Sequence, residues 1–71
     1  MIRIITNREY QIFQLLVDGY TTSEISNFLN ISKKTVRNHI SNVIQKLGVT
    51  NRNQAILELL KLEIVFLKNP N

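Results

Sequence analysis

The 71-residue chain is predicted to be all-α, with four helices in a single domain. Three observations predict it. Apolar residues recur at helical spacing (i, i+3, i+4, i+7) in four separate stretches. Each stretch opens on Thr, Ser or Asn, side chains that cap helix N-termini, and two of the openings carry the full capping-box pattern. No segment shows the period-two alternation of a strand, an internal repeat or a low-complexity linker.

Met1 to Ile5 is a short lead-in with one basic residue, Arg3. Thr6-Asn7-Arg8-Glu9 fits a capping box, with Ile5 and Tyr10 placed for a hydrophobic staple. The first helix then runs to about Val17. Ile12, Phe13, Leu16 and Val17 supply its buried side, with Tyr10 near the edge. Asp18-Gly19 ends it, glycine being free to take the left-handed cap conformation. Thr21-Thr22-Ser23-Glu24 is a second capping box. It opens a short helix, ending near Asn30, that is expected to bury Ile25, Phe28 and Leu29. Asn30-Ile31 forms the turn, since Asn tolerates positive φ and Ile31 can plug the core.

Ser32 caps the third helix, residues 33–47, in which Val36, Ile40, Val43, Ile44 and Leu47 form one apolar stripe. With Val36 at zero on a wheel of about 100° per residue, Lys34, Arg37, Asn38, Ser41, Asn42 and Gln45 fall between about 100° and 240°. That far face has no acid and no large apolar residue. Helix, tight turn and helix make a helix-turn-helix. Gly48 closes the third helix. Asn51 with Gln54 is a weaker capping-box variant for the fourth helix, residues 52–62, whose apolar positions are Ala55, Ile56, Leu59, Leu60 and Leu62. Leu57 lies off that stripe. Ile64-Val65-Phe66-Leu67 either extends this helix or folds over it, and Lys68 to Asn71 should fray. The domain is thus residues 1–71, with a core over 6–62, an apolar extension over 63–67, and the first three helices around one hydrophobic centre.

Charge narrows the function. The chain has a formal net charge of +4 and a pI near 9.9. From Ile25 to Leu57 there is no Asp or Glu, and Lys33, Lys34, Arg37, Lys46 and Arg52 give the segment +5 against −1 for the rest. A solvated surface usually mixes both signs. A one-signed face on a small basic domain is an electrostatic footprint for nucleic acid. No apolar run approaches the ~18 residues that span a bilayer. Without a targeting segment, the expected location is the cytoplasm. Zero cysteines exclude disulfides and thiolate chemistry. A single His39 without thiols offers no metal site, and no cofactor is expected. No nucleophile–base pair, paired-carboxylate signal or phosphate loop points to an enzyme.

The order Thr6-x-Arg8-Glu9, Gly19, Glu24-Ile25, Ile31-Ser32, Thr35-Val36, His39, Ile44-x-Lys46-Leu47-Gly48-Val49, Arg52 and Ala55 resembles the LuxR-type helix-turn-helix family, which also includes the NarL and FixJ output domains. The likeness covers about Thr6 to Leu62. The run Lys34 to Asn42 is especially similar to stand-alone sporulation regulators of that family. The resemblance implies a bacterial transcription factor that binds double-stranded DNA as a homodimer, at least on DNA. It implies that helix 33–47 enters the major groove and that helix 52–62 pairs two subunits through Ala55, Ile56, Leu59 and Leu60. By matching position, Arg37, Asn38 and Ser41 would face base edges. Thr21, Thr22, Lys34, Thr35, Lys46 and Arg52 would contact phosphates. Ser26 replaces the usual Ala after Glu-Ile and is small enough to keep the close helix approach. The apolar tail lies outside the core motif and can enlarge or redirect the fourth-helix contact.

The chemistry of those side chains agrees. The Arg37 fork matches O6 and N7 of guanine, a contact that discriminates by about 1–3 kcal/mol, although a solvated or phosphate-bound arginine is the plainer alternative. Asn38 fits adenine N6 and N7, and fits water or phosphate equally well. Ser41 matters chiefly by being small. Lys34 and Lys46 act as point charges suited to phosphate. His39, at the edge of the apolar stripe, reads as half-buried structure rather than a switch.

Two other readings stand beside the leading one. An interaction module would dock RNA polymerase or another regulator through the fourth helix and the tail. A non-specific nucleoid-type binder would take all duplexes alike. The initial Met and short lead-in favour a complete small protein over the output domain of a longer regulator.

Overall fold

A computed structural model describes residues 4–67, and the expectations for Arg3 and for Lys68 to Asn71 lie outside them. Among the described residues there are four helices, α1 (Asn7–Val17), α2 (Thr22–Leu29), α3 (Lys33–Leu47) and α4 (Arg52–Lys61), and no strand. The helix ends follow the capping chemistry. In α1 the Glu9 N–H donates to Thr6 Oγ1 (3.1 Å), and Glu9 Oε1 accepts from the Thr6 N–H (2.9 Å). Thr21 and Glu24 repeat the same reciprocal pair at α2. At α4 Asn51 accepts from the Gln54 N–H, but the Gln54 carbonyl reaches one residue further back and takes both the N–H and the hydroxyl of Thr50. Asn30 closes α2 at φ 58°, and Gly48 closes α3 at φ 70°, both in the left-handed region.

α3 packs against each of the other three helices, which makes it the central element. The core consists of Ile5, Ile12, Phe13, Ile25, Val36, Ile40, Val43, Ala55, Leu59 and Val65. It is therefore larger than the three-helix centre expected: Ala55 and Leu59 of α4 are fully buried, as is Val65 of the tail. With only 71 residues the domain is short of apolar surface to bury, so the fourth helix and the tail are drawn into the same centre.

Two further expectations are corrected. Phe28 is 76% exposed rather than buried. In its place Ser26, 5% exposed, faces inward beside Ile25. The two positions lie about 200° apart on the helix, so α2 can bury only one of them. The small serine lets the backbones approach, and its hydroxyl donates to the Ser23 carbonyl (2.8 Å), which satisfies it in the interior. The second correction concerns α4, whose Leu62 is a half-exposed C-cap residue and not part of the buried stripe.

The tail folds over and does not extend α4. The chain reverses at Glu63, φ 58°. The N–H of Ile64 then bonds back to the Leu59 carbonyl (2.9 Å). Val65 plugs the core, and Gln14 of α1 clasps the backbone of Phe66 in both directions, donating to its carbonyl (2.8 Å) and accepting from its N–H (3.1 Å).

Candidate nucleic-acid interface

α3 divides cleanly into an inner and an outer side. Val36, Ile40 and Val43 are buried, with Ile44 and Leu47 packed against the core. Lys34, Arg37, Asn38, Ser41, Asn42 and Gln45 are exposed along the other side, and Lys33 is exposed in the first turn. His39 is half-buried at the boundary. Because the inner side is held by three helices, the outer side is presented as a fixed, convex row of donors and acceptors. A helix of this diameter fits the width of a major groove. The acids, Glu9, Asp18, Glu24, Glu58 and Glu63, all fall outside residues 25–57, so the row is uniformly attractive to phosphate.

The start of α2 and the start of α4 flank this row. Thr22, Arg37, Ile40, Ser41 and Arg52 line one open cleft. Arg52 also borders the adjoining hollow with Thr21, Thr22 and Asn53. The fold thus brings together Arg37, Ser41, Thr22 and Arg52, which are far apart in the chain, and places Thr21 next to them. Arg37 and Arg52 thus stand beside the N-terminus of α2, whose dipole favours an anion and where the Glu24 carboxylate already takes the Thr21 N–H. The Thr21 hydroxyl already accepts from the Glu24 N–H, so its contribution to a ligand is as a donor. Thr35 sits likewise in a cap, its hydroxyl 2.9 Å from that of Ser32 and its N–H donating to Ser32 Oγ (3.0 Å).

Lys46 is placed differently from the other cations. Its Nζ lies 2.7 Å from Glu9 Oε1, linking α3 to α1. On the helix wheel it is about 180° from Arg37, so it lies apart from the exposed row. Glu9 is 3% exposed. Burial by itself raises its carboxyl, but the hydrogen bond from Lys46, the N–H of Thr6 and the nearby ammonium charge outweigh that and hold it below the usual glutamate range. Sequence reasoning missed this pair, because Glu9 was already accounted for by its capping box. The wheel angle of Lys46 was the signal that it did not belong with Arg37.

The dimerisation set also divides. Ala55 and Leu59 are fully buried inside one chain and have no surface for a second copy. Ile56 and Leu60 are half-buried. The exposed apolar residues nearby are Leu57 (57%) and Leu62 (45%), followed by Phe66 and Leu67 on the tail. The apolar residues that α4 leaves at the surface thus differ from the expected set, because the small domain uses Ala55 and Leu59 for its own core.

Among the described residues no group of three or more His, Cys, Asp or Glu could hold a metal ion, and no helix is long and apolar enough to cross a membrane. The geometry is that of a binding surface: a projecting polar helix with cationic shoulders.

Known proteins resemble this chain in sequence and fold. The family model described as bacterial regulatory proteins, luxR family, matches residues 3–59. The chain is 58% identical over 59 residues to the spore germination protein GerE of Bacillus subtilis, covering 83% of this chain and 80% of that protein. It is 47% identical over 60 residues to the transcriptional regulatory protein DegU of Brevibacillus brevis, covering 84% of this chain but a quarter (25%) of that longer protein. A solved structure of the transcription factor GerE superimposes with a TM-score of 0.91 at 61% identity, covering 94% of this chain and 100% of the other.

Proposed function

The chain belongs to the luxR family of bacterial regulatory proteins and is a DNA-binding transcription regulator; from that premise we propose how it reads its target. α3 lies in the major groove of double-stranded DNA, with Arg37, Asn38 and Ser41 at base edges. Lys34 and Thr35 approach the phosphates on one side. Thr21, Thr22 and Arg52 hold the backbone on the other, at the α2 N-terminus. Residues 1–71 act as one DNA-binding domain. It works by binding in the bacterial cytoplasm, without catalysis or cofactor. The observation that carries this reading is the acid-free outer side of α3, held rigid by burial of its inner side against α1, α2 and α4.

Two copies sit on a two-fold operator, paired through α4 by Ile56, Leu60 and the exposed Leu57 and Leu62. The likeness to the spore germination protein GerE supports a role in sporulation; expression confined to vegetative growth would count against that role. The test of the DNA reading is selection from a randomised duplex pool at about 150 mM salt, where phosphate attraction alone is suppressed. An inverted repeat with half-sites about one helical turn apart or closer is expected. Recovery of duplexes without a shared motif would establish a non-specific binder instead.

A second reading is favoured by the apolar residues left exposed on α4 and the tail: Leu57, Leu62, Phe66 and Leu67. In it this surface docks RNA polymerase or another regulator. Capture of purified polymerase by a variant with α3 neutralised would separate this from DNA bridging.

A further inference from the structure

The contact between Glu9 and Lys46 spans 37 residues of sequence and joins the first turn of α1 to the last turn of α3. We propose that this pair positions the reading helix: through Lys46, Glu9 sets the tilt of α3 so that Arg37, Asn38 and Ser41 meet base edges together. The inference rests on the assignment of α3 as the reading helix.

Three observations carry it. The anchor is rigid. Glu9 is 3% exposed, and the same Oε1 that takes the Lys46 ammonium (2.7 Å) also takes the N–H of Thr6 (2.9 Å), so α1's own cap immobilises the carboxylate. The contact is directional where its surroundings are not. The rest of the buried surface between α1 and α3 is built from apolar side chains, among them Ile12, Phe13, Ile40 and Val43. Apolar burial holds the helix in place but is non-directional, whereas a charge-assisted hydrogen bond also fixes a distance and a direction. The contact is also well placed for leverage. Lys46 is nine residues from Arg37, about 13 Å along the axis, and on the opposite side of the helix. A tilt of about 10° about the middle of α3 moves either end by roughly 2 Å, which is enough to break a bidentate contact that tolerates only about 2.7–3.2 Å.

The test compares Lys46→Met with Glu9→Gln. They change net charge in opposite directions: Lys46→Met removes the clamp, and Glu9→Gln strips it of the carboxylate charge while leaving a neutral acceptor. In Glu9→Gln the side-chain carbonyl still accepts from the Thr6 N–H, so the cap is kept. Each variant is confirmed folded by circular dichroism, and its affinity is measured for the strongest duplex recovered by selection and for a random duplex of equal length, over a series of salt concentrations. Lys46→Met should lose about tenfold or more of the specific-to-random ratio, the worth of one bidentate base contact, and Glu9→Gln, whose carbonyl still accepts from Lys46, should lose part of that. The double variant should lose no more than Lys46→Met alone, and Lys46→Arg should keep the ratio.

Movement of random-duplex affinity in opposite directions for the two variants, with the ratio intact, would overturn the proposal in favour of simple long-range charge. A Lys46→Met salt slope reduced by about one, with uniform weakening, would overturn it in favour of direct phosphate contact. Arg37→Ala runs alongside: if it also leaves the ratio untouched, the assignment of α3 as the reading helix has failed, not the clamp alone. Lys46, at 37% exposure, is the more tolerant position, so Lys46→Met carries the test even where Glu9→Gln proves too unstable.

Discussion

Replacing Val65 by alanine tests whether the tail is part of the domain. Val65 has no exposed surface and sits in the same cluster as Phe13 and Leu59. The substitution removes two methyl groups. At about 0.8 kcal/mol each the transfer loss is about 1.6 kcal/mol, and the cavity left behind brings the expected loss to roughly 2 kcal/mol, with about 1–3 as the range. A domain of this size typically has only about 4–10 kcal/mol in hand, so the loss is a large fraction. It should lower the melting temperature by roughly 8–16 °C, at about 4–8 °C per kcal/mol. The assay is a pair of urea melts with shared m-value, alongside Phe66→Ala. Phe66 is 58% exposed, and its clasp with Gln14 uses backbone atoms that the substitution leaves in place. It should therefore change stability by less than about 0.5 kcal/mol. If Val65→Ala is as mild as Phe66→Ala, the tail is not seated in the core in solution and the reasoning fails.

Arg37→Ala should leave the melt within about 0.5 kcal/mol of the parent, while costing about 1–3 kcal/mol of discrimination at one base pair; competition binding against single-base operator variants reads it, and a large stability loss would make Arg37 structural. Phe28→Ser should be close to neutral because the ring is 76% exposed, whereas Ile25→Ala one turn earlier should cost about 2–4 kcal/mol; equal losses in parallel melts would contradict the roll of α2. Acidification should destabilise the fold partly through Glu9. Its folded pKa is lowered, so between the unfolded value, about 4.3, and the folded one the unfolded chain holds the extra proton. The stabilisation is then complete above that window and lost as pH falls through the folded value. Glu9→Gln should flatten this part of the stability–pH profile in urea melts taken between about pH 7 and pH 3, and an unchanged slope would remove Glu9 as its source.

The helix starts were legible in the sequence. Each helix start could be read from a cap within four residues of it, at Thr6, Thr21, Ser32 and Asn51, and each of these side chains accepts the expected N–H. The turn after α2 was legible because Asn at the end of an apolar run is suited to φ 58°. The outer row of α3 was legible because one long helix with fifteen residues samples its whole circumference, and period alone separates the faces. Where an element was short the same rule lost resolution. In eight-residue α2, Phe28 and Ser26 were both compatible with a stripe through Ile25, and hydrophobicity favoured the wrong one.

What the sequence by itself determined was therefore set by neighbours within about one helical turn: the caps, the two left-handed closures, the acid-free outer row of α3 and the membership of a family whose motifs are themselves local spacings. Only the tertiary structure decided which residues meet across the chain. It gave Lys46 a partner in Glu9, Ala55 and Leu59 a place in the core, and Val65 a place beside α1 with Gln14 as its latch. The physical reason is that these outcomes depend on competition for a small interior. A chain of 71 residues cannot bury enough surface with three helices, so the fourth helix and the tail are recruited. Which of their apolar side chains turn inward is settled by volume and packing among distant elements, quantities that no local pattern carries.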